Sequence, residues 1–361
     1  MAGTPRMTPR CRGLVLAAGL GTRLRPLTDA IPKPLLPVVG KPVLAHTLER
    51  LAAAGCDAVA INLHHHGDRI RAHFGDSYQG MPLTWSVEPR LLGTLGALEP
   101  LHGFLAGAEV VLVINGDSLC RWPLEELAAR HQERGAAATL LLAARPDPAD
   151  FGGGVAAGRG GDILSFRPPA PAGAGAAAGA SSAAGAGRAE RRWVFAGAHA
   201  LAPSLLARIA SRAAADAVPA DIVRDLYEPL LVERPGSLAS LTTGRRWHDL
   251  GTPRRFLAAT LEWLPAARRG IPPLWIAPGA VVETGATVRR SSLEAGCRVG
   301  EGAWIEDSVL LAGSEVGPRS VVRRSILGPG AVLPAGCEVL DRVVAAGRAV
   351  EIGDRAARGL R

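Results

Sequence analysis

Lysine is almost missing from this chain: of 41 basic residues in 361, only Lys33 and Lys41 are lysines, which leaves 39 arginines. A lysine in a chemically suggestive setting therefore marks a place where the usual guanidinium fork is not used. Aromatic residues are also few, with 7 Trp, 6 Phe and 2 Tyr. No basic run is interleaved with them and no zinc-finger spacing occurs, so nucleic acid is excluded as a partner; the net charge of +8 reads as a solvated surface or a small anionic ligand. The cysteines Cys11, Cys56, Cys120, Cys297 and Cys337 are odd in number and form no C-x-x-C pair. That argues against a disulfide framework or a zinc site and fits a reducing, cytoplasmic setting. No apolar run precedes the first predicted strand, so residues 1–12 read as a flexible tail and not as a secretory signal. A twenty-residue uncharged stretch, Pro168–Gly187, holds only Ala, Gly, Pro and Ser. Its transfer energy is too small for a membrane span, and residues 168–190 read as a low-complexity insert.

What is present divides in two. From Gly13 to about Pro265, strand runs at Leu14–Ala18, Ala58–Leu63, Val110–Ile114 and Thr139–Ala143 alternate with helical stretches such as Pro42–Ala54 and Leu124–Arg134. This predicts an α/β domain, residues 13–265, with a mainly parallel sheet covered on both faces. Beyond Ile271, VRRSSLEAG from Val288, IEDSVLLAG from Ile305, VRRSILGPG from Val322 and VLDRVVAAG from Val339 repeat every 17 residues. A subperiod of six, Val281, Thr287, Leu293, Val299, Ile305 and Leu311, predicts one inward aliphatic per side of a triangular coil with one side shortened by a residue. Ala280, Cys297, Ser314 and Ala331, each after a glycine, suit tight corners, and Cys297 and Cys337 read as small buried fillers. Residues 271–350 are thus predicted to form a parallel β-helix of about four coils. Its outward pairs Arg289-Arg290 and Arg323-Arg324 fit oligomer contacts, allosteric anion binding or a plain solvated face.

The chemistry concentrates in Leu16-Ala17-Ala18-Gly19-Leu20-Gly21-Thr22-Arg23-Leu24-Arg25-Pro26-Leu27-Thr28, followed by Pro32-Lys33-Pro34. A buried strand opens into a glycine-bearing turn whose backbone N–H groups can approach a polyphosphate, and then presents Arg23 and Lys33. Leu24 occupies the third glycine position of the dinucleotide fingerprint, and the G-K-[ST] ending of the ATPase loop is missing. His64-His65-His66 reads as a strand-end loop, because three adjacent residues cannot all face one ion on a regular element.

The whole string resembles the sugar-1-phosphate nucleotidyltransferases, or NDP-sugar pyrophosphorylases. Four further blocks agree in order: Glu88-Pro89-Arg90-Leu91-Leu92-Gly93-Thr94-Leu95-Gly96-Ala97, Asn115-Gly116-Asp117, Phe195-Ala196-Gly197-Ala198-His199, and Trp247-His248-Asp249-Leu250-Gly251-Thr252-Pro253. The resemblance implies a Rossmann-like nucleotidyltransferase domain followed by a left-handed β-helix. It implies transfer of a nucleotidyl group from an NTP to a sugar 1-phosphate. Leu16, Ala17, Ala18, Gly19, Gly21, Thr22, Arg23, Glu88, Gly93 and Thr94 would bind the nucleotide, and Asn115, Gly153, Arg167 and Gly197 the sugar phosphate. Arg23 would sit on the leaving pyrophosphate and Lys33 on the α-phosphate or the incoming sugar phosphate. Asp117 and Asp249 would hold Mg²⁺, a hard cation that takes one or two carboxylates together with phosphate oxygens. His248 reads as support for Asp249, and Lys41 as structural.

Glu88 leans the base toward guanine, which offers two donors to a carboxylate, and GTP with mannose 1-phosphate is the preferred pair. UTP or dTTP with another hexose or amino-sugar phosphate is the near alternative. The sequence departs from the family at Ile163-Leu164-Ser165-Phe166-Arg167-Pro168, where members carry Phe-x-Glu-Lys-Pro, and at Phe195, where many have Asn. Arg167 would then replace the missing lysine. An acyl-transferring β-helix is disfavoured because all nine histidines lie at or before His248. A non-catalytic sensor is disfavoured because Arg23, Lys33, Asp117 and Asp249 are all present. A homo-oligomer is expected.

Overall fold

A computed structural model describes residues 10–144, 154–166, 192–210, 219–267, 272–345 and 347–352. Its main early elements are β1 (Cys11–Leu16), α1 (Val43–Ala53), β2 (Cys56–Leu63), α2 (Gly67–Phe74), β3 (Met81–Val87), β4 (Val110–Asn115), α3 (Leu124–Arg134), β5 (Ala138–Ala143), β6 (Arg192–Leu201), β7 (Leu238–Thr243) and α4 (Pro253–Trp263). The strands join in one sheet in the order β3-β2-β1-β4-β6-β5-β7. The first four are parallel, β6 is antiparallel to β4 and β5, and β7 is parallel to β5. β1 begins at Cys11, three residues earlier than its aliphatic run, because Cys11 already pairs with Cys56 and Val110. It ends at Leu16, which releases Ala17 and Ala18 into the following loop.

Both faces of the sheet are covered, and successive residues divide between them. Val15, Ile61, Leu112 and Ile114 face one core, with Leu44, Leu48 and Leu51 spaced along one side of α1. Leu14, Ala60, Val111 and Val113 face the other, against Leu205, Leu206 and Tyr227. β1 lies between β2 and β4: the chain runs outward from β1 to β2 and β3 and then crosses to β4 on the other side, and at such a switch point a crevice opens at the carboxyl ends of the strands.

From Trp275 the chain winds as a three-sided stack of parallel strands. Register partners step by one repeat on every side: Ser292, Val309, Ile326 and Val343; Arg298, Glu315 and Val332; Trp304, Val321 and Glu338. This is the parallel β-helix expected, in the form of a left-handed β-helix. The inward residues, however, are Val282, Val288, Leu293, Val299, Ile305, Leu310, Val316, Val322 and Leu327. One side has five residues, so a count by sixes slips there by one position. Val281 is accordingly 41% exposed, Thr287 is half-buried, and Leu311 faces the first domain. Cys297 is buried as a corner filler, whereas Cys337, near the end of the stack, is only half-buried.

Leu311, Val309, Ile326 and Val343 pack on Leu24, Leu27, Leu36, Val38, Leu119, Leu250 and Phe256, which joins the β-helix to the first domain through an apolar seam. The outward arginine pairs are not a bare cationic face. The coil between them carries Glu306 and Asp307; Arg323 meets Glu306 at 3.2 Å, Arg290 pairs with Asp307, and Arg324 meets Asp341 at 2.6 Å. Among the described residues no helix is long and apolar enough to cross a membrane.

Two buried histidines make the fold acid-sensitive. His131 meets Thr139 Oγ1 at 3.0 Å and His199 meets the Tyr227 hydroxyl, and burial pushes their pKa values down to about 4 and about 3. Below about pH 6.5 the unfolded chain takes up protons that the folded chain refuses, so stability falls as pH drops from there toward the folded values. The two together should cost about 4 kcal/mol at pH 5 relative to pH 7.5. Urea titrations across this range should show the loss, and His131→Gln should flatten the slope.

Candidate active site

The loop after β1 is shaped by local hydrogen bonds. Gly21, with φ 64°, caps the single turn Thr22–Leu24; its carbonyl accepts from Leu24 N–H at 2.9 Å and from the Thr28 hydroxyl at 2.9 Å. The left-handed backbone at Gly21 is the conformation glycine adopts without penalty. Nothing stands within 4 Å of a β-carbon placed at Gly19, so that stretch of backbone opens to space. Leu16, Ala17, Gly19, Gly21, Thr22 and Arg23 wall a cavity of ≈ 320 Å³ that Lys33, Gly116 and Asp117 close from the other side.

Lys33 begins the turn Lys33–Leu35, is only 8% exposed, and places Nζ 3.1 Å from Asp117 Oδ2. The Lys33 charge, the hydrogen bond to it, and Arg23 beyond hold the Asp117 carboxyl below the usual carboxylate range. Asp117 follows β4 and leads into Ser118–Cys120, which pairs antiparallel with Trp247–Asp249. Asp249 lies opposite Ser118, and Leu250 N–H donates to the Asp117 carbonyl at 3.1 Å. Two aspartates remote in sequence are therefore fixed at one end of a two-stranded ladder. A β-carbon on Gly251 would lie 2.9 Å from both Arg23 Nη2 and Asp249 Oδ1, so glycine leaves room there for both side chains. Asp249 Oδ2 pairs with Arg255 in the first turn of α4, and His248 faces Glu262 at 3.5 Å. Asp117 lines the ≈ 320 Å³ cavity, whereas Asp249 lines a second one with Trp247, His248 and Arg255; two carboxylates at neighbouring strand ends suit a magnesium ion, which completes its shell with phosphate oxygens and water. Among the described residues no cluster of three or more His, Cys, Asp or Glu forms a fuller metal site, and His64 is engaged with the Glu88 carbonyl at 2.8 Å.

The remaining expected residues are placed differently. Glu88 is 3% exposed, with Oε1 accepting from Asn62 Nδ2 at 2.7 Å and Oε2 from Leu92 N–H at 3.1 Å. Asn62 Oδ1 in turn accepts from Ala17 N–H at 2.7 Å. The carboxylate thus anchors both the loop after β3 and the loop after β1, while Leu91 lines the cavity. Thr94 Oγ1 accepts from Ile222 N–H at 2.9 Å, and Gly93 lies against the Ala220 backbone, so both hold the 220–222 segment. Gly197, with φ 74°, packs against the Asn115 side chain at the edge of β4 and β6. Gly153, Arg167 and the 168–190 insert lie outside the described residues. Lys41 donates to both Glu49 carboxylate oxygens at 2.6 and 2.7 Å, away from the cavity, in the structural role expected. Sequence reading missed Asn62 and Arg255. Asn62 had a signal, a lone amide closing an aliphatic strand, whereas Arg255 is one arginine among 39.

With this geometry in hand, a family model described as Nucleotidyl transferase matches residues 12–264, and one described as the GMPPB C-terminal domain matches residues 270–357. The chain belongs to the nucleotidyl transferase family. Relatives of the transferase include the mannose-1-phosphate guanylyltransferase catalytic subunit beta of Drosophila pseudoobscura pseudoobscura, 29% identical over 83% of this chain and 75% of its own length. The mannose-1-phosphate guanyltransferase of Candida albicans is 29% identical over 83% of this chain and 85% of its own. The catalytic subunit beta of Xenopus tropicalis is 27% identical over 75% and 69%. The transferase thus combines an α/β domain matched by the Nucleotidyl transferase model with a β-helix matched by the GMPPB C-terminal domain model.

Proposed function

We propose that this enzyme transfers a nucleotidyl group from a nucleoside triphosphate to a sugar 1-phosphate, releasing pyrophosphate, with GTP and mannose 1-phosphate as its substrates. The observation that carries the transfer is the convergence of Arg23, Lys33 and Asp117 on one cavity walled by the loop after β1, with the backbone of Asp249 brought near Asp117 by strand pairing; the names of the relatives support GTP and mannose 1-phosphate as the pair. A sugar-phosphate oxygen attacks the α-phosphorus while pyrophosphate departs in line, so charge must be neutralised on both sides of that atom.

The 16–22 loop cradles the triphosphate, and Arg23, exposed at the rim, meets the departing pyrophosphate. Lys33, buried and fixed in one turn, directs a point charge at the α-phosphate or the entering sugar phosphate. Asp117 and Asp249 are the residues that would hold Mg²⁺, which supplies Lewis-acid neutralisation of phosphate oxygens when bound. Arg255 keeps Asp249 oriented from behind. Glu88 supports the nucleotide site by fixing Asn62 and the 88–92 loop, while Gly93 and Thr94 brace that loop. Asn115 and Gly197 stand together where the sugar phosphate would enter. The proposed division is residues 13–265 for catalysis and 271–350 for the β-helix.

The purified protein should release pyrophosphate fastest with GTP and mannose 1-phosphate in a matrix of the common NTPs and sugar 1-phosphates. A preference for UTP or dTTP would change the substrates, and no release with any pair would remove the catalytic reading.

A further inference from the structure

Beyond the apolar seam, the β-helix reaches the hairpin next to Lys33 through a buried polar side chain. Lys33–Leu35 is followed at once by a hairpin in which Pro37 pairs with Pro42 and Val38 with Lys41, and Val43 N–H donates to the Leu36 carbonyl at 3.0 Å. The two turn residues, Val39 with φ 53° and Gly40 with φ 76°, both have positive φ, the pattern of a type I′ turn. This backbone is costly for a β-branched residue such as Val39, and a costly conformation persists only where its surroundings enforce it. Here the enforcement comes from the β-helix. Gly40 N–H donates to Glu294 Oε1 at 3.1 Å, and a β-carbon at Gly40 would run into the Trp275 ring. Leu36 and Val38 lie in the same apolar seam as Leu311 and Ile326.

Glu294 breaks the rule of its own repeat. The equivalent positions in the other coils, at steps of one repeat, are Ala277, Leu311, Gly328 and Ala345. Ala277, Leu311 and Ala345 are buried apolar residues, and Glu294 itself is only 4% exposed. A buried carboxylate is expensive unless hydrogen-bonded, and its partners are the Gly40 amide and the Ser292 hydroxyl, the latter also at 3.1 Å. A polar group at an otherwise apolar repeat position, spent on one backbone amide of a strained turn, is expected where function requires it.

We propose that Glu294 is a positioning residue for Lys33: by clamping the 37–42 hairpin from the β-helix it fixes the turn that delivers the Lys33 ammonium to the catalytic cavity. The proposal rests on the reading of Lys33 as a phosphate-binding cation. Glu294→Leu introduces the residue the next coil carries and removes the acceptor without leaving a hole, whereas Glu294→Gln keeps an acceptor oxygen.

The test combines steady-state kinetics with mapping of lysine acetylation by acetic anhydride, which is simple in a chain with two lysines. E294L should lower kcat/KM roughly ten- to hundredfold, mainly through kcat. It should also speed acetylation of Lys33 several-fold relative to wild type, because the buried pair with Asp117 opens. E294Q should return both readouts close to wild type. A lower melting temperature with unchanged kinetics and unchanged Lys33 acetylation at 25 °C would overturn the proposal. If E294L does not fold, Ser292→Ala, which removes the second donor to Oε1, should shift Lys33 acetylation in the same direction, and no shift counts against the clamp. If wild type releases no pyrophosphate, the functional reading fails while the acetylation arm still decides the clamp.

Discussion

Asp117→Asn should lower the rate of pyrophosphate release by roughly a thousandfold or more, with the fold intact. The substitution is nearly isosteric, so its effect isolates charge. In the wild-type chain the Asp117 carboxylate faces the Lys33 ammonium at 3.1 Å, and the pairing of Ser118–Cys120 with Trp247–Asp249 brings the Asp249 backbone opposite Ser118. An amide still accepts one hydrogen bond from Lys33, and the Leu250 N–H to Asp117 carbonyl bond belongs to the backbone, so the local structure should survive. What disappears is one of two negative charges that would hold a divalent cation, and with it the negative partner of the Lys33 ammonium. Coupled pyrophosphate detection, with circular dichroism as the control for folding, would check this. A rate within about tenfold of wild type would remove Asp117 from the metal role, since loss of a charged ligand at the reacting phosphate costs far more than that.

Lys33→Arg should be nearly as damaging, lowering kcat by roughly a hundredfold or more, although the charge is kept. Lys33 lies between Pro32 and Pro34 in a single tight turn and is largely buried, with its Nζ 3.1 Å from Asp117 Oδ2. A guanidinium is planar and larger, spreads its charge over a fork, and would either displace Asp117 or project past the phosphate position. Single-turnover rates and the KM for each substrate would separate the two failures. A raised KM with unchanged kcat would place Lys33 in ground-state binding alone, and wild-type kinetics would show that any cation suffices. This is the demanding version of the lysine argument, because arginine is the cation this chain uses at 39 other positions.

The fold was largely legible because its signals are periodic. Aliphatic-rich runs marked β2, β4 and β5, and α3 spans the residues its pattern indicated. The repeat was legible as a spacing, yet the inward set was displaced at Val281, Thr287 and Leu311. Periodicity reports the mean step and not which side of the triangle is short. The candidate site was legible where chemistry is local: the glycine turn, Arg23, Lys33 and the two aspartate blocks each carry their own motif. It was not legible where a role depends on a partner far along the chain. Glu88 read as a residue facing a base; in the fold its carboxylate is closed over Asn62 and the Leu92 amide. Arg255 carried no local signal, and Glu294, although out of pattern in its repeat, carried none that indicates Gly40.

By itself the sequence determined the class of fold, the 17-residue repeat and the set of charged residues available to a phosphate. Those follow from hydrophobic period and from side-chain chemistry, which are properties of short stretches. Only the tertiary structure decided which of these charges meet. Strand pairing sets Asp117 beside Asp249, a 3.1 Å contact joins Lys33 to Asp117, and a β-helix carboxylate holds the hairpin behind Lys33. Such contacts span from 84 to 254 residues of chain, and hydrogen bonds at that separation are fixed by packing, which no local pattern records.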